Sequence, residues 1–365
     1  MPVNDGKRAV PIASLTVGHD FGEAVCYGKN CHLGMPVWYN SVKIRHNLKG
    51  ARMSLPKREE ILNVIDTLSS RYLRGKVKAL RLSMIALLSG GHILLEDIPG
   101  LGKTTLALAL SGALGLSFGR IQCTSDLMPS DITGLSIYNR EESAFKFMKG
   151  PIFNNIVLVD EINRAMPKTQ SALLEAMEER KVTVDGTTYA LPEPFLVIAT
   201  QNPMEQVGTY LLPESQMDRF LIRTGIGYPP EGIEKAIIKG GSIRDEIRNM
   251  PVLLAHDDIV AAGKFVKEGI YFSDKVIDYI FRLVQETRNH PLVLSGISTR
   301  GGINLADAAR AHAYLDGRDY VIPEDVKEIS VAVGAHRLVL KLENGELNKE
   351  ELLRSILKNI PVPLV

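Results

Sequence analysis

Residues 91–105, GHILLEDIPGLGKTT, decide how the rest of the chain is read. His92 opens an apolar run that ends at Leu95, a turn rich in proline and glycine follows, and Lys103, Thr104 and Thr105 then open an Ala/Leu-rich helical pattern, LALALSGALG. The order is strand, loop, helix. In that setting Pro99, Gly100, Leu101, Gly102, Lys103, Thr104 and Thr105 are suited to hold the phosphates of a nucleotide. Glycines let the backbone wrap an anion, N–H groups at the helix start point at its oxygens, the lysine reaches the outer phosphates, and the Thr104 hydroxyl holds Mg²⁺. The strict spacing is GxxxxGK[ST], and Asp97 stands at its first glycine. A carboxylate there repels phosphate, so Asp97 is expected to point away from the pocket or to be hydrogen-bonded by the loop. The competing reading is an ordinary glycine-rich turn, and the downstream motifs weigh against it.

The second motif is NNIVLVDEINRA, residues 154–165. Four consecutive apolar residues, 156–159, read as a strand buried on both faces of a parallel sheet, with Asp160 and Glu161 at its carboxyl end, where open α/β sheets bind ligands. Carboxylates behind a buried strand are costly without a cation. Asp160 is expected to hold Mg²⁺ and Glu161 to act as the base that orients an attacking water. The alternative is that both cap the helix near Pro167. A further buried strand, FLVIAT, ends in Gln201-Asn202-Pro203, and Asn202 is placed to reach the outer phosphate or the water; otherwise it is a turn asparagine. Arg219 precedes a last short strand; the alternative for it is an exposed Asp218–Arg219 pair. Arg300 falls in the first turn of a helix capped by Ser298 or Thr299, where the helix dipole disfavours a cation. It therefore asks for an anion, either a nucleotide phosphate under a folded-over helical domain or a surface carboxylate.

The 365 residues exceed one comfortable core, and the formal charge of +1 offers no whole-chain case for nucleic acid or an anionic membrane. Three cysteines argue against a disulfide framework, no apolar run is long enough to span a bilayer, and Lys7-Arg8 with AVPIASLTVG is followed by no cleavage site. The expected location is cytoplasmic. Residues 1–52 read as an unassigned extension, disordered or non-native, with Met53 the natural start. Cys26, Cys31, His32 and His19 match no strong zinc spacing. Residues 53–228 read as the α/β core. Within it, 137–139 and 145–149 form one hairpin, 167–180 a helix, and Asp185-Gly186 the turn of a second hairpin over 182–190. Residues 229–254 read as a linker, after which strands disappear. Residues 255–365 read as helices over 257–267, 273–289, 298–315 and 323–340.

EDIPGLGKT, VLVDEINRA, ATQNP, LPESQMDRF and STRG together resemble the AAA+ ATPases, specifically the MoxR family. RIQCTSDLMPSDITG, KTQSALLEAMEE and GRDYVIPEDV extend the likeness over residues 54–340. The resemblance implies a three-layer P-loop NTPase core with a parallel sheet, followed by an all-helical lid domain, with ATP and Mg²⁺ as cofactors. It assigns Gly100, Gly102, Lys103 and Thr104 to Walker A, Asp160 and Glu161 to Walker B, and Asn202 to sensor 1. Arg219 is the arginine finger offered to a neighbouring subunit, and Arg300 is sensor 2. The hairpins over 137–149 and 182–190 resemble the helix-2 insert and the presensor hairpin, both expected to face a central pore. Arg74-Gly75-Lys76 stands where the family carries VGQ. The implied assembly is a hexameric ring acting on a client or adaptor, often one with a von Willebrand factor A domain. The implied activity is ATP hydrolysis coupled to remodelling, metal insertion or assembly of a partner. A nucleic-acid motor and a nucleotide-gated scaffold without turnover are the alternatives; a GTPase is disfavoured because no NKxD motif follows.

Overall fold

The strands over 93–96, 156–160 and 196–201 read as burial on both faces requires. The computed structural model describes residues 57–202, 208–241, 243–341 and 347–363. The readings of residues 1–52 and of the start at Met53 lie outside them. Two helices, α1 (Arg58–Thr67) and α2 (Val77–Leu88), lead into β1 (Ile93–Glu96). After the phosphate loop come α3 (Lys103–Ala113) and β2 (Phe118–Gln122). A short helix, α4 (Pro129–Thr133), and an antiparallel hairpin, β3 (Gly134–Asn139) with β4 (Ala144–Lys149), precede β5 (Ile156–Asp160). Helix α5 (Pro167–Glu179) and a second hairpin, β6 (Lys181–Val184) with β7 (Thr187–Ala190), lead to β8 (Leu196–Gln201). A short α6 (Glu214–Met217) precedes β9 (Ile222–Thr224).

The five long-range strands pair in parallel in the order β2-β5-β8-β1-β9. Successive side chains go to opposite faces, so β1, β5 and β8 each contribute to two apolar layers. Ile93, Leu95, Ile156, Leu158, Leu196 and Ile198 join α1, α2 and α3 on one side. Leu94, Val157, Val159, Val197 and Ala199 join Leu173, Leu174 and Met177 of α5 on the other. This is the three-layer α/β core that the sequence implies. At the second hairpin Asp185 and Gly186 both take positive φ, 49° and 77°, which is the geometry an Asp-Gly hairpin turn selects.

Beyond β9 the chain is mostly helical: α7 (Glu231–Gly240), α8 (Arg244–Arg248), α9 (His256–Gly269), α10 (Asp274–Asn289), α11 (Thr299–Leu315), α12 (Pro323–Gly334) and α13 (Lys349–Asn359). Three expectations are corrected here. The segment read as a linker carries α7 and α8, because Ile247, Met250 and Leu254 bury against the end of α3 and Leu253 N donates to Ala113 O at 2.8 Å. Strands do not vanish: β10 (Val293–Ser295) and β11 (Val339–Leu340) pair antiparallel. The helix expected over 323–340 stops at Gly334 and tightens into a 3₁₀ turn, Ala335–Arg337, which points His336 and Arg337 into the interior. One apolar cluster runs from Ile61 of α1 through the sheet to Leu357 of α13, so core and helical region share their packing within the unit Ser54–Val365.

Candidate nucleotide site

The carboxyl ends of β1, β5 and β8 converge on one cleft. The phosphate loop supplies Pro99, Gly100, Gly102, Lys103, Thr104 and Thr105, β5 supplies Asp160 and Glu161, and β8 supplies Thr200 and Asn202. Leu101 is not among the lining residues; the remaining expected loop and acid residues are brought together. Gly100 and Gly102 have φ of 89° and 96°, where a side chain would be strained, and no side chain caps α3. The loop thus aims an uncapped helix start into the cleft, the arrangement that binds phosphate. The Lys103 ammonium donates to the backbone carbonyl of Asp97. Burial pulls its pKa below the ordinary lysine value, against the upward pull of Asp97, Asp160, Glu161 and Glu96.

Asp97 turns away from the cleft, as its charge requires. Its carboxylate accepts N–H bonds from Ile226 and, at 3.2 Å, from Gly227, in the chain just after β9. Lys76, buried in the segment that replaces VGQ, donates to the carbonyl of Gly227. The departure from strict loop spacing therefore clasps the loop to the edge of the sheet.

Glu161 adopts φ 57° and ψ 53°, a left-handed conformation costing about 1–3 kcal/mol that persists only where neighbours enforce it. Thr200 on the adjacent strand does so: its Oγ1 accepts the Glu161 N–H at 2.9 Å. The same hydroxyl lies 3.5 Å from Asp160 Oδ1. Asp160 Oδ2 is paired with Arg120, whose Nε and Nη2 each lie 2.8 Å away. Asn202 is buried at the cleft, 8% exposed. The Thr104 hydroxyl and the Asp160 carboxylate, opening into one cleft beside Lys103, form an oxygen set of the kind Mg²⁺ prefers. Sequence reasoning missed Arg120, Gln122 and Thr200. The signal for the first two was β2 itself, whose register sets Gln122 opposite Asp160; Thr200 stood within ATQNP beside the asparagine. Cys123 is inert here, since burial, reinforced by Asp160 and Glu161, pushes its thiol up to about 12.

Arg219 and Arg300 lie elsewhere. Arg219 precedes β9, and Leu221 N donates to His92 O ahead of β1, so Arg219 sits at the amino edge of the sheet. Glu178, at the end of α5, is next to Met177, whose carbonyl bonds His92 at 3.1 Å. Arg219 Nη1 lies 3.2 Å from Glu178 Oε2, and Arg300 Nη2 lies 2.5 Å from Glu178 Oε1. Both arginines are therefore on the edge opposite the cleft, separated from it by strands of 4 to 6 residues, or about 13–20 Å. The anion that Arg300 meets is a carboxylate, and Arg219 pairs with Glu178 rather than making the alternative Asp218–Arg219 pair. Asp218 is instead held by Arg337, Nε to Oδ1 at 2.7 Å, and by the Ser298 hydroxyl at 3.0 Å.

A five-stranded parallel sheet with a glycine-rich phosphate loop after its first strand, an Asp-Glu pair after the neighbouring strand and a helical region packed on one layer defines a P-loop ATPase of the AAA class. Residues 92–222 match the ATPase family associated with various cellular activities (AAA), and residues 285–356 match the AAA lid domain. The chain is 39% identical over 312 residues to the chaperone MoxR1 of Mycobacterium tuberculosis, spanning 81% of this chain and 80% of that protein. It is 46% identical over 297 residues to the uncharacterised protein YeaC of Bacillus subtilis (strain 168), spanning 81% and 92%. A crystal structure of a protein from Cytophaga hutchinsonii assigned as an ATPase superposes with a TM-score of 0.76 at 37% identity, covering 84% of this chain and 96% of that one. The chain belongs to the MoxR family of AAA ATPases.

Proposed function

We propose that the chain hydrolyses ATP with Mg²⁺, in a ring of identical subunits, and couples turnover to remodelling of a partner protein. The observation that carries this reading is Glu161, held by Thr200 in an unfavourable backbone conformation at the mouth of the phosphate cleft. A capping or turn carboxylate needs no such support. Lys103 and the helix start bind the phosphates, Thr104 and Asp160 hold the metal, and Glu161 and Asn202 orient the attacking water. When bound, Mg²⁺ offsets the charge of the outer phosphates. Arg120 gives Asp160 a counter-charge within the protein.

Arg219 and Arg300 support the ring. Their position on the edge opposite their own cleft supports a role for both on the nucleotide of a neighbour, and head-to-tail contacts of that kind close into rings, six subunits being what the family implies. The partner-facing surface is assigned to the two hairpins. Ile137, Tyr138, Phe145 and Met148 of the first are exposed, and its Phe147 stacks on Tyr189 of the second at 4.3 Å between centroids. Exposed apolar residues on a paired ribbon suit a protein client. The name of the relative MoxR1, a chaperone, agrees with that assignment. A client or adaptor bearing a von Willebrand factor A domain is the family's expectation. No helix among the described residues is long and apolar enough to cross a membrane.

The test compares the wild-type chain with Glu161→Gln. Wild type is expected to release phosphate from ATP in the presence of Mg²⁺. Glu161→Gln is expected to bind ATP with similar affinity, hydrolyse it far more slowly and retain a partner in a pull-down. Equal phosphate release by the two proteins would remove Glu161 from its role.

A further inference from the structure

We infer that Glu178 is a positioning residue that holds Arg219 and Arg300 together as one cationic pair for the nucleotide of the neighbouring subunit. The inference rests on the reading of these arginines as residues that act on a neighbour. Three observations lead to it.

The first is convergence. Arg219 comes from the chain before β9, Arg300 from the first turn of α11, and Glu178 from the last turn of α5, yet each carboxylate oxygen of Glu178 takes one guanidinium. Two like charges drawn this close repel each other unless an anion lies between them. The second is that, among the described residues, each guanidinium is engaged through a single nitrogen, so each has further N–H donors to offer another anion. All three side chains are partly open, with 30%, 36% and 46% exposure for Arg219, Glu178 and Arg300, so the cluster faces outward rather than into the core.

The third is that the backbone around both arginines is already fixed by other groups. Arg337 donates to the carbonyls on either side of Arg219, Asp218 O at 3.1 Å and Phe220 O at 2.7 Å. Asp218 Oδ2 accepts from Ser298, whose hydroxyl also accepts the Gly301 N–H and so caps the helix that carries Arg300. One carboxylate, Asp218, thus ties the two main-chain anchors together, and a second, Glu178, gathers the two side-chain ends. A surface ion pair with only a stabilising role would not need both arginine anchors bolted to each other. A phosphate group offers oxygens at a spacing comparable to that of a carboxylate, so guanidiniums gathered around Glu178 are already arranged for a phosphoryl group.

Glu178→Gln removes the charge while keeping size and one acceptor oxygen. At saturating ATP it is expected to lower kcat about tenfold or more, the loss of an oriented, charge-assisted contact to each arginine, with KM for ATP nearly unchanged. In an Arg219→Ala background the same change is expected to add little. The decisive arm mixes Glu178→Gln subunits with Glu161→Gln subunits. A Glu178→Gln cleft that falls beside a Glu161→Gln subunit then borrows its intact arginine pair, so turnover should rise above that of either protein alone. A folding defect, or a role of Glu178 in its own cleft, cannot be rescued in this way. Wild-type turnover by Glu178→Gln, or no gain on mixing, overturns the inference while leaving the hydrolase reading intact. A wild-type chain that releases no phosphate overturns that reading and the inference with it.

Discussion

Asp97 accepts the backbone N–H of Gly227 at 3.2 Å, across 130 residues of sequence. The residue that breaks the strict loop spacing is thereby a clasp between the phosphate loop and the chain beyond β9, with Ile226 N as its second donor. Asp97→Gly, which restores the strict spacing, should therefore weaken the protein instead of improving it. Leaving two half-buried N–H groups without an acceptor costs about 1–3 kcal/mol. Urea unfolding should show a lower midpoint, and ATP titration should show no gain in affinity.

Thr200 carries the geometry of Glu161. Thr200→Val keeps the shape but removes the acceptor for the Glu161 N–H, now at 2.9 Å. A loss of about 1–3 kcal/mol in positioning corresponds to a fall in kcat of roughly ten- to a hundredfold. KM for ATP should barely move, since the phosphate loop is untouched. A change confined to KM would contradict this role.

Arg337, its side chain 1% exposed, is the main bolt between the helical region and the segment 218–221. Burial lowers its pKa and Asp218 pulls it back, and a guanidinium stays charged in either case. Arg337→Met leaves Asp218 without its counter-charge and takes one donor away from each of four backbone carbonyls. Breaking a buried pair costs about 3–5 kcal/mol, and the 20% exposure of Asp218 places this one at the lower end. Chemical denaturation should show the loss, and Asp218→Asn combined with Arg337→Met should cost less than the sum of the two alone.

Two buried histidines make the fold acid-sensitive. His92 Nδ1 accepts the Val197 N–H at 3.0 Å and Nε2 donates to Met177 O; burial, with help from Arg180, lowers its pKa to about 3. His336 is held well below its ordinary value by burial and by Arg337. In both the folded pKa lies below the unfolded one, near 6.5, so the unfolded chain takes up protons that the native one refuses. Stability is complete above about pH 6.5 and falls as pH falls, by about 1.4 kcal/mol per pH unit for each histidine, down to about pH 3 for His92. Unfolding midpoints at pH 7, 6 and 5 should decline accordingly, and His92→Gln should flatten the slope. Equal midpoints across that range would show that neither imidazole is held neutral.

The buried strands were legible because burial on both faces writes itself as an unbroken apolar run, as in 156–159 and 195–200. The Asp185-Gly186 turn was legible because few residues accept its backbone angles. The short pair β10–β11 was not, since strands of three and two residues carry no period. The helices α7 and α8 were hidden behind Pro229-Pro230 and a glycine-rich run, signals that outweighed Ile247 and Met250, whose burial depends on α3.

The sequence by itself determined the chemistry: the loop around Lys103, the acids after β5, the polar residue after β8 and the family all follow from short-range order, because a phosphate site is assembled from adjacent residues with restricted backbones. Tertiary structure decided what each charge meets. Asp218 stands beside Arg219 in sequence but pairs with Arg337, and Asp97 faces Gly227 rather than the cleft it borders. Arg219 and Arg300 share Glu178 at the edge away from their own phosphate loop. Partners of that kind are set by which side chains burial and strand direction bring within a few ångströms, and no local pattern encodes them.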